Sequence, residues 1–168
     1  PSDGSTACEV CSVGYTAAST GSTLCAACSA VYTTASTGST SCDVCAAGYY
    51  SADGSTACEA CSTGYFAAST ESKACEACSI GYFAASTGST TCTACSVGYS
   101  TSSTGSADST ACDVCDVGYY SADGSTACEA CSVGYIAAST VSTACEACGG
   151  GYIAASTGRP PCEACRTG

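Results

Sequence analysis

Residues 75–95 read CEACSIGYFAASTGSTTCTAC, and this stretch decides the fold. It opens and closes on Cys-x-x-Cys, with a Gly-Tyr pair and a tract of small residues between. The same wording recurs along the chain. Cys-x-x-Cys opens at Cys8, Cys25, Cys42, Cys58, Cys75, Cys92, Cys112, Cys128, Cys145 and Cys162, in steps of 17, 17, 16, 17, 17, 20, 16, 17 and 17 residues. Self-similarity at a short fixed period marks a repeat architecture, in which no unit can bury a core alone and each leans on its neighbours. No linker or shift in composition interrupts the pattern. The reading is one tandem array over residues 1–168, with its first and last units incomplete.

Each interval carries one tyrosine: Tyr15, Tyr32, Tyr49, Tyr65, Tyr82, Tyr99, Tyr119, Tyr135 and Tyr152. Glycine precedes it except at Val31, and the following residue is often large, as at Tyr50, Phe66, Phe83, Tyr120, Ile136 and Ile153. Aromatic and β-branched residues suit an extended strand. The spacing predicts one short strand per repeat, its tyrosine packed on the cysteines, followed by an Ala-Ser-Thr-Gly-Ser-Thr turn. Glu71 and Val141 replace the turn glycine, so a positive φ is not expected to be required there. Length varies in or beside this tract, with extra residues near Ser103 to Asp108 in the 20-residue repeat, where insertions are tolerated.

Composition leaves little else to hold the chain. Hydrophobic residues make up 46% of it, but most are Ala and Cys; one Leu, three Ile, nine Val and two Phe remain. That is too few for a packed core. Cysteine, at 20 of 168 residues, is the alternative. Such density without a core reads as a disulfide scaffold made in an oxidising compartment, hence secreted or at the cell surface.

Charge excludes several roles. Lys73, Arg159 and Arg166 are the only cations, and the net charge is −11. Nucleic-acid binding needs a basic surface to displace phosphate counterions. An anionic membrane surface would repel the chain, and no stretch is apolar enough for insertion. There is no His, which removes the commonest general base, and serines without a base are not nucleophiles. No enzymatic activity and no cofactor are expected. Paired Cys-x-x-Cys motifs also have zinc-ribbon spacing, which keeps a metal-thiolate protein as an alternative. Asp3, Asp53 and Asp123 each stand in Asp-Gly-Ser-Thr, one carboxylate per site, which suits turns better than calcium.

The run Cys115-x-x-Gly118-Tyr119-Tyr120-Ser121-x-x-Gly124-Ser125-x-x-Cys128-x-x-Cys131 resembles the ephrin-receptor-like cysteine-rich repeat. It is more distantly similar to the first loop of tumour necrosis factor receptor modules. The resemblance extends over essentially the whole chain. It departs where the family's usual proline is Ser or Ala in most units, Asp116 in one and Gly149 in another, and where its usual threonine is tyrosine. The resemblance implies an extracellular, small, disulfide-rich, irregular all-β architecture, drawn out as a solenoid-like rod of about ten 16–20-residue repeats.

The residues alone leave three uniform cysteine connectivities: within each motif, from second cysteine to the next first, or from first to the next second. The resemblance implies the middle one, whose loop encloses one strand and one turn. It gives Cys11–Cys25, Cys28–Cys42, Cys45–Cys58, Cys61–Cys75, Cys78–Cys92, Cys95–Cys112, Cys115–Cys128, Cys131–Cys145 and Cys148–Cys162. Cys8 and Cys165 are left over. With no terminal unit resembling a cap, the expectation is one segment of an indefinite array, either cut from a longer polypeptide or joined head to tail to further copies in a contact that does not close; in both cases Cys165 pairs with the Cys8-equivalent of the next segment.

Ser and Thr concentrate in the turn tracts, which makes O-linked glycans expected partners. The candidate acceptors are Ser19, Thr20, Ser36, Thr37, Ser69, Thr70, Ser86, Thr87, Ser139, Thr140, Ser156 and Thr157. The leading functional reading is a structural component of an extracellular filament, surface hair or cell coat. The alternative is the stalk of a cell-surface receptor or adhesin.

Overall fold

The computed structural model describes residues 10–19, 22, 24–54, 56–158 and 161–165. The chain divides into two compact units. One comprises Pro1–Ser62, Phe66–Glu76 and Thr87–Thr91; the other Thr63–Tyr65, Ala77–Ser86 and Cys92–Gly168. Every contact described below lies inside one unit.

Both units are built from the same hairpin, and nine two-stranded sheets form among the described residues. In the first unit Tyr15–Ala17 pairs with Cys25–Ala27, and Tyr49–Tyr50 with Glu59–Ala60. In the second, Tyr99–Thr101 pairs with Cys112–Val114, and Tyr135–Ile136 with Glu146–Ala147. There are thus two strands per repeat rather than the one expected. The second strand is made from the residues inside the next Cys-x-x-Cys, because the tyrosine strand needs a hydrogen-bonding partner and the nearest chain is the one its own disulfide holds beside it. Tyr49 stands opposite Ala60 and Tyr135 opposite Ala147. The only helix among the described residues is a 3-10 turn, Ser109–Ala111, inside the 20-residue repeat. The Asp108 side chain caps it by accepting from the Thr110 amide at 2.8 Å.

Nine disulfides close the repeats: Cys11–Cys25, Cys28–Cys42, Cys45–Cys58, Cys61–Cys75, Cys78–Cys92, Cys95–Cys112, Cys115–Cys128, Cys131–Cys145 and Cys148–Cys162. Their Cα atoms lie 5.5–5.9 Å apart, the ordinary span of a cystine. Each hairpin is extended by one more bond, from the amide of the following second cysteine to the carbonyl of the residue before the tyrosine, as in Cys61 to Gly48 at 2.9 Å.

The core is narrow. The second cysteine of each motif from Cys11 to Cys131 is buried, and so is the residue two after the tyrosine in most repeats: Thr34, Ser51, Ala67, Ala84, Thr101, Ser121, Ala137 and Ala154. In both units the buried positions are mainly cysteines and small side chains. The tyrosine rings stay partly outside; Tyr49, Tyr65 and Tyr135 are 41–48% exposed.

Candidate functional site: the seam between repeats

Three kinds of backbone contact join successive repeats in both units, the third being replaced at Gly54 and Gly124, whose amides donate to Ser51 and Ser121 Oγ of their own repeats at 3.1 Å. In the first, the amide of the residue before the tyrosine donates to the carbonyl two residues after the next tyrosine: Gly48 to Ala67 at 2.9 Å, Gly98 to Ser121 at 2.8 Å, Gly118 to Ala137 at 2.9 Å. Where that acceptor residue is threonine, its hydroxyl takes over, as in Gly14 to Thr34 Oγ1 at 2.9 Å and Gly81 to Thr101 Oγ1 at 2.8 Å. In the second, the amide two after the tyrosine donates to the serine beyond the next turn: Ser51 to Ser72 at 3.2 Å, Ala84 to Ser106 at 3.1 Å. In the third, the amide at the turn-glycine position donates back to the carbonyl of the preceding repeat's second cysteine, as in Gly88 to Cys61 at 2.7 Å and Gly105 to Cys78 at 2.7 Å. Each such bond contributes about 0.5–1.5 kcal/mol, so the seam is the main attachment between repeats that bury few large side chains.

This seam sets the backbone conformation. The position before the tyrosine has positive φ throughout, from Gly14 at 84° to Gly151 at 84°, and Val31 adopts 69° in the same place. The turn position is also left-handed. Gly38, Gly88 and Gly105 lie at 71–75°, and Glu71 and Val141 at 65° and 63°. A positive φ is therefore kept at Glu71 and Val141, contrary to the sequence-based expectation. The turn keeps this conformation whether its amide reaches the preceding cysteine carbonyl, as at Gly88, or a serine hydroxyl of its own repeat, as at Gly54 and Gly124. The two substituted turns carry the strain. Their bonds, Glu71 to Cys45 and Val141 to Cys115, stretch to 3.4 and 3.3 Å.

Glu71 has a compensating contact, since its carboxylate accepts a hydrogen bond from Tyr32 Oη at 3.2 Å. That contact spans two repeats and belongs to a recurring arrangement. A methyl built on Gly88 would lie 3.7–3.8 Å from Cε2, Cζ and Oη of Tyr49; one on Gly105 would meet the same atoms of Tyr65 at 3.6–3.8 Å. The hydroxyl edge of each of these tyrosines lies beside the turn two repeats further on. The hydrogen bond and charge of Glu71 hold the Tyr32 phenol above its ordinary pKa. Glu59 and Glu129 raise Tyr50 and Tyr120 in the same way, across hairpins, at 2.7 and 2.9 Å.

The turn tips face solvent. Ser19, Ser36, Thr37, Ser69, Thr70, Ser86, Thr87, Ser139, Thr140, Ser156 and Thr157 are exposed, while Thr20 lies outside the described residues. The turns are closed by serine hydroxyls, Ser39 to the Ser36 carbonyl at 2.8 Å and Ser142 to Ser139 at 2.7 Å. Asp123 serves its turn, its side chain accepting from the Ser125 amide at 2.8 Å; hydrogen bonds from the Ser125 side chain, and then from its amide, hold the carboxyl below its usual pKa. Asp53 is also exposed, and Asp3 lies outside the described residues. A concavity of about 360 Å³ opens at the 20-residue repeat, lined by Phe83, Thr93, Tyr99, Ser109 and the Cys95–Cys112 pair, without a charged side chain. Eighteen cysteines are held in disulfides, which leaves the zinc reading no thiolate pair among the described residues. Cys165 is free and exposed, and Cys8 lies outside the described residues.

Sequence reasoning overlooked the residue two after the tyrosine. Its signal is uniform smallness, Ala, Ser or Thr in every repeat. It also overlooked the second cysteine's carbonyl, which side-chain patterns cannot reveal.

Disulfide-closed hairpins stacked through their backbones define a cysteine-rich tandem-repeat array of the extracellular type. Within it, residues 64–112 match the family described as tyrosine-protein kinase ephrin type A/B receptor-like. No individual curated protein matches the chain. No helix among the described residues is long and apolar enough to cross a membrane.

Proposed function

We propose that the chain is a structural element of an extracellular filament, surface hair or cell coat, where it acts as a load-bearing spacer. The observation that carries this reading is the repeated seam: among the described residues nine disulfide-closed loops follow one another, joined by recurring backbone contacts. Force along such a chain meets covalent loops rather than a core that melts. The near-identity of the repeats also supports a spacer, because a recognition surface needs unlike side chains at unlike places. The single-sign charge of −11 favours solvation over casual association. In this reading the role is non-enzymatic.

In this reading copies join head to tail. The exposed Cys165 thiol supports it. The exposed serines and threonines of the turns carry O-linked glycans. A second reading, the stalk of a receptor or adhesin, is favoured by the match over residues 64–112.

The test is single-molecule extension of the secreted protein with and without reductant, alongside sedimentation and intact mass. The proposal expects the oxidised chain to withhold the length of each disulfide loop until reductant is added. It expects concentration-dependent polymers that Cys165→Ser abolishes, and a mass above the 16.1 kDa polypeptide in sugar steps. A monomer at all concentrations sinks the filament and leaves the stalk; one species at the bare mass sinks the glycans.

A further inference from the structure

We infer that the exposed tyrosines are sites of oxidative cross-linking between copies of this chain, through ortho–ortho carbon–carbon bonds. The inference goes beyond the spacer reading and does not depend on it.

Composition comes first. The chain has no Trp, Met or His, and 18 of its cysteines are held in disulfides. The side chains that ordinarily intercept oxidants are therefore missing or already oxidised. Tyrosine remains, 11 times. Other covalent routes between chains are nearly closed: Lys73 is the only lysine, and there is no glutamine or asparagine, so amine and amide cross-links have almost no substrate.

Geometry comes second. Tyr49, Tyr65, Tyr119, Tyr135 and Tyr152 are 37–54% exposed, at the same place in each hairpin. In Tyr49, Tyr65 and Tyr119 the hydroxyl edge lies beside the turn glycine two repeats on, where a methyl built on that glycine would come within 3.8 Å of Cε2, Cζ and Oη. The exposed part of each ring can meet the ring of another copy. Tyr50 and Tyr120 differ, because their hydroxyls are engaged by Glu59 and Glu129.

The step balances with a peroxide as oxidant and a haem peroxidase as catalyst. Two phenols lose two electrons and two protons and form one aryl carbon–carbon bond. One hydrogen peroxide takes up both and leaves as two waters. The product is insensitive to thiols, so it adds a permanent link to a scaffold otherwise held by reducible ones.

The experiment uses the full disulfide-bonded chain with free thiols alkylated, at about 0.15 M salt so that its negative charge is screened. It is treated with a haem peroxidase and limiting hydrogen peroxide. Expected are oligomers that survive boiling in reductant, dityrosine fluorescence, and cross-linked peptides joining Tyr49, Tyr65, Tyr119, Tyr135 or Tyr152 of different copies. Isotope-labelled and unlabelled chains mixed beforehand distinguish copies by mass. Replacing these five by phenylalanine should remove most of the dityrosine yield; if that variant misfolds, the distribution of links in the unaltered chain decides. Absence of coupling where free N-acetyltyrosine couples in the same tube overturns the inference. So do links confined to single chains, or to Tyr50 and Tyr120.

Discussion

Gly81 and Gly134 share a φ of 86° and a place before the tyrosine, yet differ in surroundings, so alanine at each separates two costs. At Gly81 the new methyl would sit 2.5 Å from the Ser125 carbonyl carbon and 2.7 Å from the carbonyl oxygens of Gly124 and Ser125. At Gly134 it would meet nothing within 4 Å. The left-handed conformation costs a non-glycine residue about 1–2 kcal/mol, and both variants bear that. Forcing a methyl into packed backbone costs about 1–3 kcal/mol more, and only Gly81→Ala bears it. A chain of this size loses about 2–4 °C of Tm per kcal/mol. Gly134→Ala should therefore melt about 2–8 °C below the parent. Gly81→Ala should melt several degrees lower still. Calorimetry of the oxidised proteins reads both. Equal melting temperatures, or a lower one for Gly134→Ala, would falsify the claim that close packing of repeats, and not the dihedral alone, demands glycine.

Three further outcomes follow from the same contacts. Val141→Gly relieves a β-branched residue at positive φ and should raise stability by up to about 1 kcal/mol, with slower hydrogen exchange of the turn amide bonded to Cys115; no gain would mean that this turn is unstrained. Removing one cystine by Cys61→Ala with Cys75→Ala should cost about 3 kcal/mol in denaturant, given a loop of this length, and a negligible loss would shift the weight of stability onto the seam. The phenols of Tyr50 and Tyr120 ionise above their ordinary pKa because ionisation breaks a bond to a carboxylate and sets like charges together. Their contribution is therefore complete below the ordinary tyrosine pKa and is lost as pH rises through the raised folded value. Glu59→Gln with Glu129→Gln should shift the latest part of the ultraviolet phenol titration to lower pH, and an unmoved curve would remove the assigned cause.

The disulfide-rich irregular β fold was legible because the period is short and its punctuation loud: two cysteines and a Gly-Tyr pair in nearly every unit. The tyrosine strand was legible too, from the aromatic and β-branched residues around Tyr82 or Tyr152. Its partner was not, since Glu-Ala between two cysteines has low strand propensity; Glu59–Ala60 and Glu129–Ala130 are extended because a disulfide and a neighbouring strand hold them so. The turn was misread for a related reason. Glu71 and Val141 suggest a relaxed requirement when composition is the only witness, whereas the turn keeps a positive φ whatever side chain is present. Tyrosine looked like core because it is the largest regular residue. The true filler is the small residue two places on, because cystine sulfur already occupies the centre and leaves no room for a ring.

The reach of each repeat, one neighbour through backbone bonds and two through the tyrosine edge, has a hereditary consequence. Any unit flanked by two others on each side already has every contact it will ever make. Duplicating or deleting a whole unit in the gene hands each remaining interior repeat the same surroundings as before. Copy number can drift by unequal recombination without a refolding problem to solve, provided the cut preserves the phase of the period. The residues added near Ser103 to Asp108 show the complementary freedom: they lengthen one loop to a 17-residue cystine separation while Gly105 still meets Cys78 and Ser106 still meets Ala84. Selection on such a gene can act on how many units there are almost independently of what each unit contains.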